Sequence, residues 1–140
     1  VISILLLSLL CSARSGQSLR AEESRTEKTI HAAPAAAAAQ VNPYQSSAEA
    51  ALAGKKLYVR HCSRCHGRDG QGQRDAVDLH SPVIQNAPPG VLFWLLKNGN
   101  LRGGMPSWSR LPDPQLWQMV TYIRKLGNES GSSQEPAVEK

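Results

Sequence analysis

Cys62, Ser63, Arg64, Cys65 and His66 set two thiols two residues apart, with an imidazole directly after the second. Thiols at this spacing can add to the two vinyl groups of one haem, and the histidine is then placed to ligate the iron from one face. Background composition makes two Cys and a His in this arrangement an accident on the order of one in a thousand for a chain of this length. The same pair could serve thiol-disulfide exchange or form half of a zinc site. A closed zinc site needs two more N or S ligands, and beyond His66 the chain offers only His80 and no further Cys. Dithiol oxidoreductases carry the motif near a βαβ pattern, and no convincing alternating strand is present. The expectation is one covalent haem c per chain, with Cys62 and Cys65 as thioethers.

A second axial ligand has few sources. The two methionines are Met105 and Met119, and a thioether is a soft neutral donor for an iron that changes charge without changing geometry. Met105 lies in Arg102-Gly103-Gly104-Met105-Pro106-Ser107, where glycines permit close backbone approach and Pro106 stiffens the loop. Met119 falls on the apolar stripe of a helix with Leu116 and Ile123, where core packing is the commoner role. Met105 is therefore the expected ligand, with Met119, His61 and His80 as the alternatives; His61 reads as a surface or propionate-side residue, His80 as a loop residue, and His31 has no assigned role. With His66 and Met105 on the two axial positions, no site is open to oxygen, peroxide or substrate, so the expected role is one-electron transfer and not enzymatic catalysis. No paired carboxylates, nucleophile elbow or phosphate-binding loop appear; Gly70-Gln71-Gly72 is too short for the last and follows no strand.

Three helices can position these residues. Over 48–60, Ala50, Ala53 and Leu57, with Tyr58 beside them, recur at helical spacing while Lys55, Lys56 and Arg60 stay wet. A second helix runs from Pro88 or Pro89 to Lys97, opened by proline and closed by Asn98-Gly99; its apolar run Val91 to Leu96 suits burial against a cofactor or an ordinary core. A third starts with Asp113 as cap and Pro114 at the first helical position, carries Leu116, Met119, Val120, Ile123 and Leu126, and stops at Gly127-Asn128. About eighty residues make a small core, which a flat apolar macrocycle would complete.

The rest of the chain differs in composition. Residues 1–13 read as a secretory signal with cleavage near Ala13: the apolar run Val1 to Leu10 is shorter than the roughly 20 residues a spanning helix needs. The run begins with Val and lacks a positive start, so missing upstream residues or a longer membrane anchor stay open. Cys11 as a lipidation site is disfavoured by Leu10 before it. Residues 14–47, rich in Ala, Gln, Ser, Glu and Pro, read as a flexible linker with little to bury, 48–127 as the functional domain, and 128–140 as a polar tail.

Gly54-Lys55-Lys56-Leu57-Tyr58, then Cys62-Ser63-Arg64-Cys65-His66-Gly67, Gly104-Met105-Pro106 and a final helix from Trp117 to Leu126 together resemble a small bacterial class I (monohaem) cytochrome c, over nearly all of 48–127. The resemblance implies an all-α cytochrome c-like fold of about three short helices and loops wrapped around one covalent haem. It also implies that Gly54 on the first helix meets Tyr122 on the last, that His66 is the haem histidine and that Met105 is the ligand of the M-P turn. The stretch from His66 to Met105 is short beside mitochondrial forms, so the haem edge is expected to be more exposed.

Between residues 48 and 127, eleven Lys and Arg face five Asp and Glu, an excess of six positive charges before haem. Arg64, Arg68 and Arg102 surround the motif and the proposed ligand. This suggests steering toward an acidic face on a redox partner, or simply a solvated basic surface. Nucleic acid is not an expected partner, since no reading motif is present. The expected protein is a periplasmic, monomeric carrier between an electron donor and a terminal oxidase or reductase, touching a membrane only through an N-terminal anchor. Two other readings stand beside it: a gas or redox sensor or peroxidase-like module with a labile Met105, and the cytochrome subunit of a larger dehydrogenase.

Overall fold

The computed structural model describes residues 25–73 and 75–132, with side chains as far as Asn128. The expected signal segment lies outside the described residues. A helix over 25–31 (α1) and the turn Ala35–Ala38 (α2) precede the long helix Ala48–His61 (α3). Ser63–His66 (α4), Pro82–Gln85 (α5), Pro89–Asn98 (α6), the 3-10 turn Leu101–Gly103 and the C-terminal helix Asp113–Ser132 (α7) follow. Among the described residues there is no strand, only an isolated antiparallel bridge between Asn100 and Met105. The all-α expectation holds, with four short α-helical pieces and one 3-10 turn among the described residues beyond the three long helices the sequence pattern predicts.

Local chemistry sets the helix ends. Ser47 caps α3, its Oγ accepting the Ala50 N–H at 3.0 Å, which satisfies a donor that has no partner within the helix. Pro89 opens α6 and Gly99, at φ 73°, ends it. Helix α7 begins at Asp113 itself, so that carboxylate lies in the first turn instead of preceding it; it pairs with Lys97 at 2.8 Å, tying α7 to the end of α6.

Helices α3 and α7 form the frame. A Cβ at Gly54 would stand 2.0 Å from the Gln118 carbonyl oxygen and 3.0 Å from Tyr122 Cβ, so the two backbones meet at a place only glycine can occupy. The expected approach of Gly54 to Tyr122 is present, with the Gln118 backbone closer still. One turn on, the Tyr58 and Tyr122 rings lie 5.2 Å apart. Around them Tyr58, Leu116, Met119 and Val120 are fully buried. The buried stripe of α3 is Ala50, Ala51, Gly54 and Tyr58, turned slightly from the predicted Ala50, Ala53, Leu57 line because the deepest contact is made by a residue without a side chain. Helix α6 closes the core, stacking Phe93 on Trp117 at 4.2 Å.

Two expectations are corrected. Residues 25–47, read as free linker, are packed. Ala37 of α2 is buried, and a Cβ on Gly90 of α6 would come within 2.0 Å of its carbonyl oxygen. Small residues on both sides bring the backbones together, so burial here needs no large apolar side chain. Asn42, also buried, donates to Thr121 Oγ1 at 3.0 Å and accepts the Tyr44 N–H at 2.9 Å, while Thr121 Oγ1 lies 3.2 Å from the Tyr44 carbonyl. Second, α7 runs through Gly127 and on to Ser132. Gly127 is a packing residue, not a stop: a Cβ there would meet the Gln85 side chain at 2.3 Å.

Candidate haem site

The C-terminal turn of α3 delivers the motif. Cys62 is the residue between α3 and α4; its N–H bonds the Tyr58 carbonyl at 2.8 Å, and its own carbonyl accepts from His66 at 2.9 Å. One helical turn therefore spaces the two thiols and puts the imidazole at its end. Cys62 is buried and Cys65 exposed, neither in a disulfide. Burial, with Cys65 close by, pushes the Cys62 thiol up to about 12, so it is a neutral thiol in the apolar core and not a poised redox thiolate.

A loop folds back over the motif. Gly72 N–H bonds the His66 carbonyl at 2.9 Å and Gln73 N–H the Cys65 carbonyl at 3.0 Å. Gly72 takes φ 79°, and a Cβ there would lie 2.4 Å from the Ala76 carbonyl oxygen, so this turn requires glycine. The loop brings the Val77 carbonyl 3.0 Å from His66 Nδ1. A carbonyl can only accept, which makes Nδ1 the protonated nitrogen and leaves the Nε2 lone pair free. Burial lowers the His66 pKa, keeping the imidazole neutral as a metal ligand must be. Beneath it, Tyr58 Oη donates to the Gly67 carbonyl at 2.6 Å.

Met105 is half-buried and packs against the edge of the core. Its loop is closed at the neck: Asn100 and Met105 exchange both backbone hydrogen bonds at 2.9 Å, and Trp108 N–H reaches the Leu96 carbonyl at 2.9 Å. Asn100 Oδ1 also accepts the Gly103 N–H at 3.2 Å. The Trp108 ring rests 4.9 Å from His61, so the residue before Cys62 packs on the segment carrying Met105. His61 is thus an aromatic contact between the two halves of the site.

Sequence reasoning missed the Val77 carbonyl, Asn100 and Trp108. The first is a backbone atom and leaves no side-chain signal. Asn100 had one: an Asn three residues before a glycine pair is a turn-forming pattern. The other candidates fall elsewhere: Met119 is fully buried in the core, His80 is tied to Asp78 at 2.7 Å, and His31 is exposed beside Glu27 at 3.9 Å. Among the described residues no three His, Cys, Asp or Glu side chains cluster as a closed zinc site would require.

The residues present fit a covalent haem: two unbridged thiols on one turn, an imidazole with its outer nitrogen free, and a thioether in a loop closed at its neck. Frame and donor set define a class I cytochrome c. Residues 49–123 match the family described as cytochrome c oxidase, cbb3-type, subunit III; the chain belongs to that family, whose cofactor is covalent c-type haem. It is 30% identical over 95 residues to the cbb3-type cytochrome c oxidase subunit CcoP of Azospirillum brasilense, covering 62% of this chain and 32% of that protein. To the FixP subunit of Rhizobium etli it is 31% identical over 88 residues, covering 55% and 28%. The chain thus spans less than a third of the length of these curated relatives. Among solved structures, cytochrome cL of Methylophaga aminisulfidivorans superposes with a TM-score of 0.52 at 21% identity, over 70% of this chain and 73% of that one, a likeness of fold.

Proposed function

We propose that this protein carries single electrons on one c-type haem attached through Cys62 and Cys65 and ligated axially by His66 and Met105. The observation behind this is the His66 side chain: neutral, fixed through Nδ1 by the Val77 carbonyl, and free at Nε2. The haem supplies a one-electron iron couple, with a potential raised by methionine relative to all-nitrogen ligation. The chain's own residues hold the metal's surroundings constant. Val77 orients the imidazole, and the Asn100–Met105 bridge holds the loop that carries the thioether. With His66 and Met105 both holding the iron, little reorganisation would be needed when the charge changes and no position would be open to substrate, which suits a carrier and not an enzyme.

Arg64, Arg68 and Arg102 are exposed and suit an acidic docking face on a redox partner. Two cations of the sequence count are occupied otherwise: Arg124 donates to the carbonyls of Ile84, Gln85 and Ala87, and Lys97 pairs with Asp113. The reading is of an exported, periplasmic monomer. No helix of the described residues is long and apolar enough to cross a membrane. The named relatives are oxidase subunits, which favours a terminal oxidase as acceptor, with the chain working either as a diffusing donor or as part of a larger assembly. Rates with a partner that fall steeply as salt rises support the diffusing donor; flat dependence supports the assembled form. The ligand set is tested by Met105→Ala in the haem-loaded protein. A lower potential and a new response to carbon monoxide are expected, and an unchanged spectrum and potential would refute Met105 as ligand.

A further inference from the structure

Residues 25–47 precede the 49–123 stretch that matches the family, yet they reach the loop that carries Met105. Asn100 Nδ2 donates to Thr29 Oγ1 at 3.2 Å, and Thr29 Oγ1 donates in turn to the Arg25 carbonyl at 3.0 Å. Asn100 is the residue on which the loop closes: its backbone pairs with Met105 in both directions and its Oδ1 accepts from Gly103. The far end of the segment is anchored independently. Asn42 and Tyr44 are bonded to Thr121 of α7, and α2 lies against Gly90 of α6. One strap therefore connects helices α6 and α7 to the side chain that closes the Met105 loop, while the outer part of that loop is open to solvent, with Leu101 80% exposed.

We infer that the 25–47 segment is a strap that holds the Met105 loop closed through the Thr29–Asn100 hydrogen bond, making Thr29 and Asn100 positioning residues for the sixth ligand. The inference rests on the reading of Met105 as that ligand. A loop closed only by its own neck opens at the cost of local bonds; one tied to a strap must also release Thr29 before the thioether can leave. The strap thereby lowers the rate and extent to which an outside ligand displaces Met105, and it does so without touching the metal.

The test is imidazole binding to the oxidised, haem-loaded full chain, with the long-wavelength Met–Fe(III) band as a second readout. Thr29→Val keeps the shape and removes the acceptor. It is expected to tighten imidazole binding by a factor of about three to five, the worth of one net hydrogen bond, and to weaken the band, while Thr29→Ser restores both. In a Met105→Ala background, imidazole should bind far more tightly, and adding Thr29→Val should change nothing further, because the loop no longer carries a competing ligand. Thr29→Val with wild-type affinity, alongside a Met105→Ala protein that binds imidazole tightly, would overturn the strap and leave the ligand assignment standing. Met105→Ala with wild-type affinity and spectrum would overturn the ligand assignment and the strap together. An equal effect of Thr29→Val in both backgrounds would show that Thr29 acts on general stability, which also overturns the inference.

Discussion

The two residues proposed to ligate the iron, His66 and Met105, are held in opposite ways. His66 ends a helical turn directly continuous with α3, is braced by the Val77 carbonyl, and is followed by Gly67, whose carbonyl is bonded by the fully buried Tyr58. Met105 lies in a surface loop whose closure depends on the Asn100 bridge, on Trp108 against Leu96, and on Ser107 Oγ donating to the Lys97 carbonyl at 2.6 Å. Disturbing the first means disturbing the core; disturbing the second breaks a few hydrogen bonds at the surface. Local stability in proteins spans from near zero to the global value, and the two proposed ligands fall toward opposite ends of that range. On the proposed ligation, the histidine side would set where the haem sits and the methionine side what the iron can bind.

Three substitutions separate the two sides. The largest effect is expected for Gly54→Val. The added side chain would collide with the Gln118 backbone, which cannot move without breaking α7, so a loss of about 3 kcal/mol or more is expected. Thermal unfolding should show both sides failing together. Tyr58→Phe is intermediate: it strips the buried Gly67 carbonyl of its donor and should cost about 1.5 kcal/mol, while leaving imidazole affinity at the sixth position unchanged. A gain in imidazole affinity in that variant would mean that the two sides are coupled through the core. Ser107→Ala is smallest, about 0.5 kcal/mol at an exposed site; it should favour imidazole binding about twofold while lowering the melting temperature by only about 2 to 4 °C. That inverse pattern, stability without exchange on one side and exchange with little loss of stability on the other, is the signature of the comparison.

What the sequence made legible followed the same division. The motif turn and the long helices were readable because they rest on residue spacing, periodicity and caps, whereas the Gly54–Tyr122 crossing came only with the family resemblance. The segment 25–47 was not. Its burial is that of alanine against glycine and of Asn42 against a threonine and backbone carbonyls, and low hydrophobicity hides such packing from any composition argument. The role of Gly127 was misread because a glycine that ends a helix and one that admits the Gln85 side chain look identical in one dimension. Lys97 and Arg124 counted as free surface charge by composition, but Asp113, 16 residues from Lys97, and the carbonyls that close α5 take them up. The Val77 carbonyl, on which the tautomer of His66 depends, belongs to a residue whose type is immaterial to its task.

The most direct test is the visible spectrum of the protein produced with a haem-attachment system, recorded oxidised and reduced, after acid-acetone treatment and under carbon monoxide. Haem that stays with the polypeptide in acid-acetone, a long-wavelength band in the oxidised form that disappears on reduction, and no response to carbon monoxide are the predicted results for His66 and Met105 on a covalently held iron. A clear carbon monoxide shift would contradict the closed sixth position and point to a sensor or peroxidase-like module, and haem lost to the solvent would contradict attachment at Cys62 and Cys65.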